Sequence, residues 1–269
     1  MVLIFLLLLA VSDATGGVIS EIIYFCAFAV PVAVGLLADN KRRKEEKQHD
    51  REYPEPDSYF KLRAESVRTL VPMIFPTLAL VLAVSYVTSF IIFAITGEES
   101  AVSVGDSLPI ALIRHALLPA VLEEALFRFM PLRMLSRHSA SATVIISSLY
   151  FALVHNSFYS IPYAFVAGLI FITVDLVCES VWPSVILHFV NNAASVVWIM
   201  YSGSDEFAFI YYGFIAALAL VSLVFIVIDR KRYRDKVFKV LSYGERLGVT
   251  YEPLLVAVPT LLLAATEFI

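Results

Sequence analysis

The sequence predicts an all-α, polytopic bundle of transmembrane helices with about eight spans. Three observations predict it. Of 269 residues, 59% are hydrophobic and only 16% charged, more apolar surface than a water-soluble domain of this size can hide. Mean hydropathy is +0.81. The apolar residues also come in runs near 20 residues long, the length a helix needs to cross the hydrocarbon core. These runs do not alternate polar with apolar, so a membrane β-barrel is disfavoured, and an open strand would leave backbone groups unpaired in lipid.

The spans predicted in order are 1–14, 17–37, 69–96, 107–132, 140–157, 161–178, 183–201, 207–228 and 252–268. The first is short and the last borderline. The opening run lacks a basic flank and is followed at once by another apolar run, so it reads as an uncleaved membrane segment rather than a signal peptide. Cys26 and Cys178 sit in apolar runs and suggest neither a disulfide framework nor a thiolate metal site.

Between the spans, KRRKEEKQHDREYPEPD marks a charged loop within 39–68. RMLSRH covers 133–138, and DRKRYRDKVFK covers 229–239. With 39–68 on the cytoplasmic side, counting spans puts all three basic stretches on that face and the acidic stretches 97–100 and 202–206 on the other. This agrees with the enrichment of Lys and Arg inside. The chain divides accordingly. Residues 1–68 hold membrane segments and a charged loop, 69–228 the main bundle, and 229–269 a basic cytoplasmic segment with a last apolar helix.

Ionisable residues inside spans are costly and mark functional positions. Three clusters stand out. Glu123, Glu124 and Arg128 lie in LPAVLEEALFRFMPL. Glu124 and Arg128 are i,i+4 neighbours that can pair. Glu123, about 100° around the helix from Glu124, is left available. Phe151 and His155 form a second set at a spacing of four, and His188 and Asn192 a third, each pair sharing a helical face. Arg114 and His115 read as snorkelling at the outer end of their helix, and Asp175 and Glu179 as interfacial. In a helical hairpin turning near 138–139, Glu123 and His155 both lie about 23 Å from the turn. His188 lies only about 9–12 Å into its own helix by the same rise, so its meeting with His155 requires tilt, kinks or unequal starting depths.

A carboxylate can take a proton from water, with a histidine to orient that water or relay the proton. An asparagine and a second histidine can donate to a tetrahedral oxyanion. The same donors, His155, His188 and Glu123, could hold a divalent metal such as zinc with one position open. No H-E-x-x-H is present.

The ordered set E-E-x-x-x-R, F-x-x-x-H and H-x-x-x-N resembles the CPBP family, which contains CAAX-prenyl-protease-type (Rce1-like) enzymes and bacteriocin-processing or abortive-infection-like proteins. The resemblance covers about 70 residues, on Glu123, Glu124, Arg128, Phe151, His155, His188 and Asn192. It implies an intramembrane endopeptidase. Glu123 would activate water with His155, His188 and Asn192 would stabilise the oxyanion, and Glu124, Arg128 and Phe151 would shape the site. The family is often called metalloprotease, and the set equally suits a metal-free glutamate mechanism. The expected partners are membrane lipids and a peptide or protein substrate, lipidated or not, with no nucleic acid. The expected location is the plasma membrane of a prokaryote. A catalytically dead scaffold or immunity protein would keep its function with Glu123 neutralised. A proton-coupled transporter would need paired half-helices or internal repeats.

Overall fold

The computed structural model describes residues 4, 5, 7, 8, 11, 12, 17–47, 64–96, 105–135, 140–155 and 160–241. Among these all regular structure is helical. The predicted span 252–268 and the tip of the 39–68 loop lie outside the described residues. We number the helices α1 (Gly17–Lys47), α2 (Ala64–Thr96), α3 (108–134), α4 (Ala140–Leu153), α5 (Ser160–Cys178), α6 (Trp182–Tyr201) and α7 (Asp205–Leu241). Segments of α1, α2, α5, α6 and α7 are long and apolar enough to cross a membrane. The chain is an integral membrane protein.

Burial sorts these helices. In α5, 44% of the most apolar window is buried, against 11% in α7, so α5 is central and α7 peripheral. Phe209, Leu220, Val227 and Ile228 project outward from α7, as expected of side chains whose solvent is lipid. α7 also continues through the basic stretch to Leu241, whereas the sequence reading ended the bundle at 228. Lys and Arg are good helix formers, and no Gly or Pro interrupts residues 229–241.

A small-residue contact brings α4 and α5 together. A side chain at Gly168 of α5 would meet Cα and Cβ of Ser148 at 3.0 Å. Ser148 itself turns its hydroxyl back to the Val144 carbonyl at 2.6 Å. Close backbone approach through small residues is the usual way helices gain packing where lipid supplies no hydrophobic drive. Gly168→Val should therefore separate α4 from α5 and destabilise the fold by about 1–3 kcal/mol, read as a lower unfolding midpoint in detergent.

α3 is continuous but not uniform. Two wide π turns, Ile113–Leu117 and Ala125–Phe129, interrupt its α-helical geometry. Each closes on an i→i−5 bond, from Leu118 N–H to Ile113 O and from Met130 N–H to Ala125 O. The next residues are Pro119 and Pro131, which have no N–H and crowd the preceding turn. Widening the turn relieves that crowding. Pro131 also leaves the Phe127 carbonyl without its i+4 donor. The Ser147 hydroxyl of α4 and Arg128 Nη1, at 3.3 Å, donate to it instead.

α1 and α3 run parallel and are clamped at both ends. At one end Arg114 pairs with Glu21 of α1 and with Asp106 at 3.0 Å. At the other, Arg133 Nε donates to Asp39 at 2.6 Å, Arg133 Nη2 to Asn40 at 2.6 Å, and Arg43 Nη2 to the Arg133 carbonyl at 3.0 Å. Arg114 is thus ion-paired rather than simply reaching for the interface. From Arg114 to Arg133 is about 28 Å at helical rise, close to the thickness of the hydrocarbon core.

Candidate active site

Halfway between those clamps α3 carries the two glutamates. Glu123 is about 14 Å along the helix from Arg114 and about 15 Å from Arg133. Their environments differ as the 100° offset requires. Glu124 and Arg128 are wholly buried, and Arg128 Nε lies 3.3 Å from Glu124 Oε2. Glu123 keeps 16% of its side chain exposed. One carboxylate is locked into the bundle and the other reaches a surface.

His188 of α6 joins them. Its Nδ1–H donates to Glu124 Oε1 at 2.8 Å, and its Nε2 stands 3.8 Å from Glu123 Oε2. A carboxylate on Nδ1 fixes both the tautomer and the ring plane. Phe151 of α4 organises the rest. The Arg128 guanidinium lies 4.2 Å from its ring centroid. Arg128 Nη2 has no hydrogen-bond acceptor among the described residues, so the ring face is its contact. The same ring meets His155 edge-on at 4.8 Å and His188 edge-on at 5.7 Å. Phe171 of α5 adds a second ring, 5.7 Å from His188 and 5.9 Å from Arg128.

His155 does not lie on a helix, as its spacing from Phe151 suggests. α4 ends at Leu153, and His155 follows in a tight turn with its N–H on the Ala152 carbonyl at 3.1 Å. Its Nδ1–H donates to the Phe151 carbonyl at 2.7 Å, which leaves Nε2 as the outward nitrogen. Asn192 is half-buried, and its carboxamide oxygen accepts from Asn191 Nδ2 at 3.3 Å. Asn191, which the motif spacing passes over, is buried and also donates to the Tyr163 hydroxyl at 2.7 Å.

The unequal depth of His188 has a structural answer. In the turn between α5 and α6 Ser180 is wholly enclosed and Val181 4% exposed, while Glu179 and Trp182 face outward. The inner side of this turn packs into the bundle, and six residues carry His188 to the level of Glu124. Asp175, read as interfacial from its place near a span end, is wholly buried beside this turn.

Among the described residues no three His, Cys, Asp or Glu side chains are grouped to hold a metal ion. His155, His188 and Glu123 are not gathered as a ligand set. His188 Nδ1 lies on Glu124 and His155 Nδ1 on a backbone carbonyl, which leaves Nε2 of each ring open.

One comparison bears on this constellation. Residues 105–194 match the type II CAAX prenyl endopeptidase Rce1-like family. No curated protein and no solved structure matches the chain. The Rce1-like segment runs from the start of α3 through most of α6, so it contains Glu123, Glu124, Arg128, Phe151, His155, His188 and Asn192. The match is to the endopeptidase family over about a third of the chain. The helices outside it, α1, α2 and α7, add the clamps and the lipid-facing wall.

Proposed function

We propose that the chain is an intramembrane endopeptidase that hydrolyses a peptide bond of a membrane-associated substrate with water activated by Glu123. The observation that carries this reading is the asymmetry of the two glutamates around one imidazole. Glu124 is spent on Arg128 and on His188 Nδ1, while Glu123 faces His188 Nε2 at 3.8 Å and keeps an open side. A single water can hydrogen-bond to both Glu123 and His188 across that gap.

In this reading Glu123 takes the proton of the attacking water, and His155 Nε2 orients that water from the end of α4. His188, held by Glu124 through Nδ1, turns its Nε2 edge to the reacting carbonyl, with the Asn192 carboxamide as a donor to the developing oxyanion. Arg128 and Phe151 hold Glu124 and the two imidazoles in register. The family description makes a C-terminal, prenylated peptide one class of substrate. The enzyme would work in the plasma membrane of a prokaryote.

Comparing peptides released in membranes that carry the wild-type chain or Glu123→Gln tests the proposal without presupposing a substrate. Products present only with the wild type are expected. Identical peptide pools would sink the protease reading and favour a non-catalytic scaffold. Prolonged treatment with a strong chelator separates the two mechanisms the donor set allows, and the carboxylate mechanism predicts that hydrolysis survives it. Loss of activity that added zinc restores would replace the carboxylate mechanism with a metal one.

A further inference from the structure

We propose that Asp175 is a positioning residue that sets the placement of His188 by holding the start of α6. The proposal deepens the endopeptidase reading, on which its catalytic consequence rests. Its geometry stands apart from the chemistry.

A first helical turn with one side packed inward, as Pro183 and Ser184 are here, needs protein partners for its N–H groups, and each can be accounted for. Trp182 N–H donates to Ser180 Oγ at 3.3 Å. Pro183 has none. Ser184 N–H donates to Asp175 Oδ1 at 3.0 Å. Val185 N–H starts the regular ladder on the Val181 carbonyl at 3.3 Å. The Ser184 hydroxyl makes a second bond to Asp175, at 2.7 Å to Oδ2. Both carboxylate oxygens of one α5 residue are therefore fixed on one α6 residue. A bidentate hold of this kind restrains sliding and rotation together, which a single bond does not.

Ser184 is one turn before His188, so the two share a helical face. The Ser184 side chain also lies beside the Glu124 carboxylate that His188 grips. Rotating α6 at its start would swing His188 away from Glu124 Oε1 and out of reach of Glu123. Asp175 touches neither glutamate by hydrogen bond, so its contact with the site runs through α6; its charge also reaches Glu124 and Arg128, a contribution that Asp175→Asn removes while keeping the hold on Ser184 N–H. The left-handed backbone of Glu179, at φ 51°, lies in the same turn. The connection is tight enough to strain a non-glycine residue, and little slack remains to absorb the loss of the cap.

The test uses the full chain in lipid nanodiscs with ¹⁵N-labelled histidine, His188→Gln assigning the His188 ring signals. Asp175→Ala should displace the His188 signals while leaving those of His155 in place. Asp175→Asn, whose carboxamide oxygen can still accept from Ser184 N–H, should restore them. In peptide hydrolysis Asp175→Ala should lower kcat by roughly 10-fold or more, with KM little changed and Asp175→Asn close to wild type. Where Asp175→Ala fails to accumulate, Ser184→Ala keeps the Ser184 N–H on Asp175 Oδ1, removes the hydroxyl with its bonds to Asp175 and to the Val181 carbonyl, and should move the His188 signals in the same direction. His188 signals and kcat unchanged in a folded Asp175→Ala or Ser184→Ala chain, even with a lowered melting temperature, would make Asp175 a residue of the fold alone. Signals that respond in a chain that hydrolyses nothing would overturn the protease reading and leave the positioning intact.

Discussion

Replacing Glu123 with glutamine should lower kcat/KM for peptide hydrolysis by about 10²–10⁴-fold, the range that a positioned general base contributes. Unfolding in detergent should stay within about 0.5 kcal/mol of wild type. Both halves follow from the same geometry. The carboxamide has the shape of the carboxylate and can still face His188, but it cannot take a proton from water. Glu123 is part-exposed, and its contact with His188 is 3.8 Å, so little of the fold depends on its charge. Glu123→Asp should retain more activity than the glutamine variant while pulling the base back by one methylene. The pair of measurements separates the two roles of a glutamate here. A glutamine variant that hydrolyses at the wild-type rate would remove Glu123 from the chemistry and reassign the base to another group.

Much of this site is legible in the sequence because membrane depth makes polar residues conspicuous. Glu124 and Arg128 pair at i,i+4 as their spacing implies, and the offset of Glu123 leaves it outside that pair. His155 and His188 approach each other through Phe151, which the spacing of the second motif singles out. What the sequence withholds is what depends on partners far along the chain. Pro119 and Pro131 announce a break in α3, but the choice between a kink and a wide turn rests on whether α4 supplies a donor to the Phe127 carbonyl. Ser147 does. Asp175 looks interfacial because the end of a span is normally at the membrane surface, and only the packing of Ser180, Val181 and Ser184 around it shows that this side of the turn is enclosed. The continuation of α7 beyond 228 had a signal, the lack of any breaker in 229–241.

Arg128→Leu should be the most damaging change to the fold, costing about 3–5 kcal/mol, the range for removing one partner of a buried ion pair. The guanidinium offsets the Glu124 carboxylate at 3.3 Å, where both side chains are wholly enclosed, and donates to the Phe127 carbonyl freed by Pro131 at 3.3 Å. It also lies over Phe151 at 4.2 Å. Leucine retains part of the packing but leaves the buried Glu124 carboxylate without the full cation that offsets it. Glu124→Gln alone strands the opposite charge and should also be destabilising. The double variant, Arg128→Leu with Glu124→Gln, leaves neither charge uncompensated. It should recover a substantial share of the stability lost by Arg128→Leu, a coupling of about 0.5–3 kcal/mol in unfolding midpoints measured in one detergent. It should not recover hydrolysis, because His188 then lacks the carboxylate that fixes its ring. Strictly additive losses would mean that the two side chains do not act as a pair. Recovery of stability together with activity would mean that Glu124 serves the fold and not the orientation of His188.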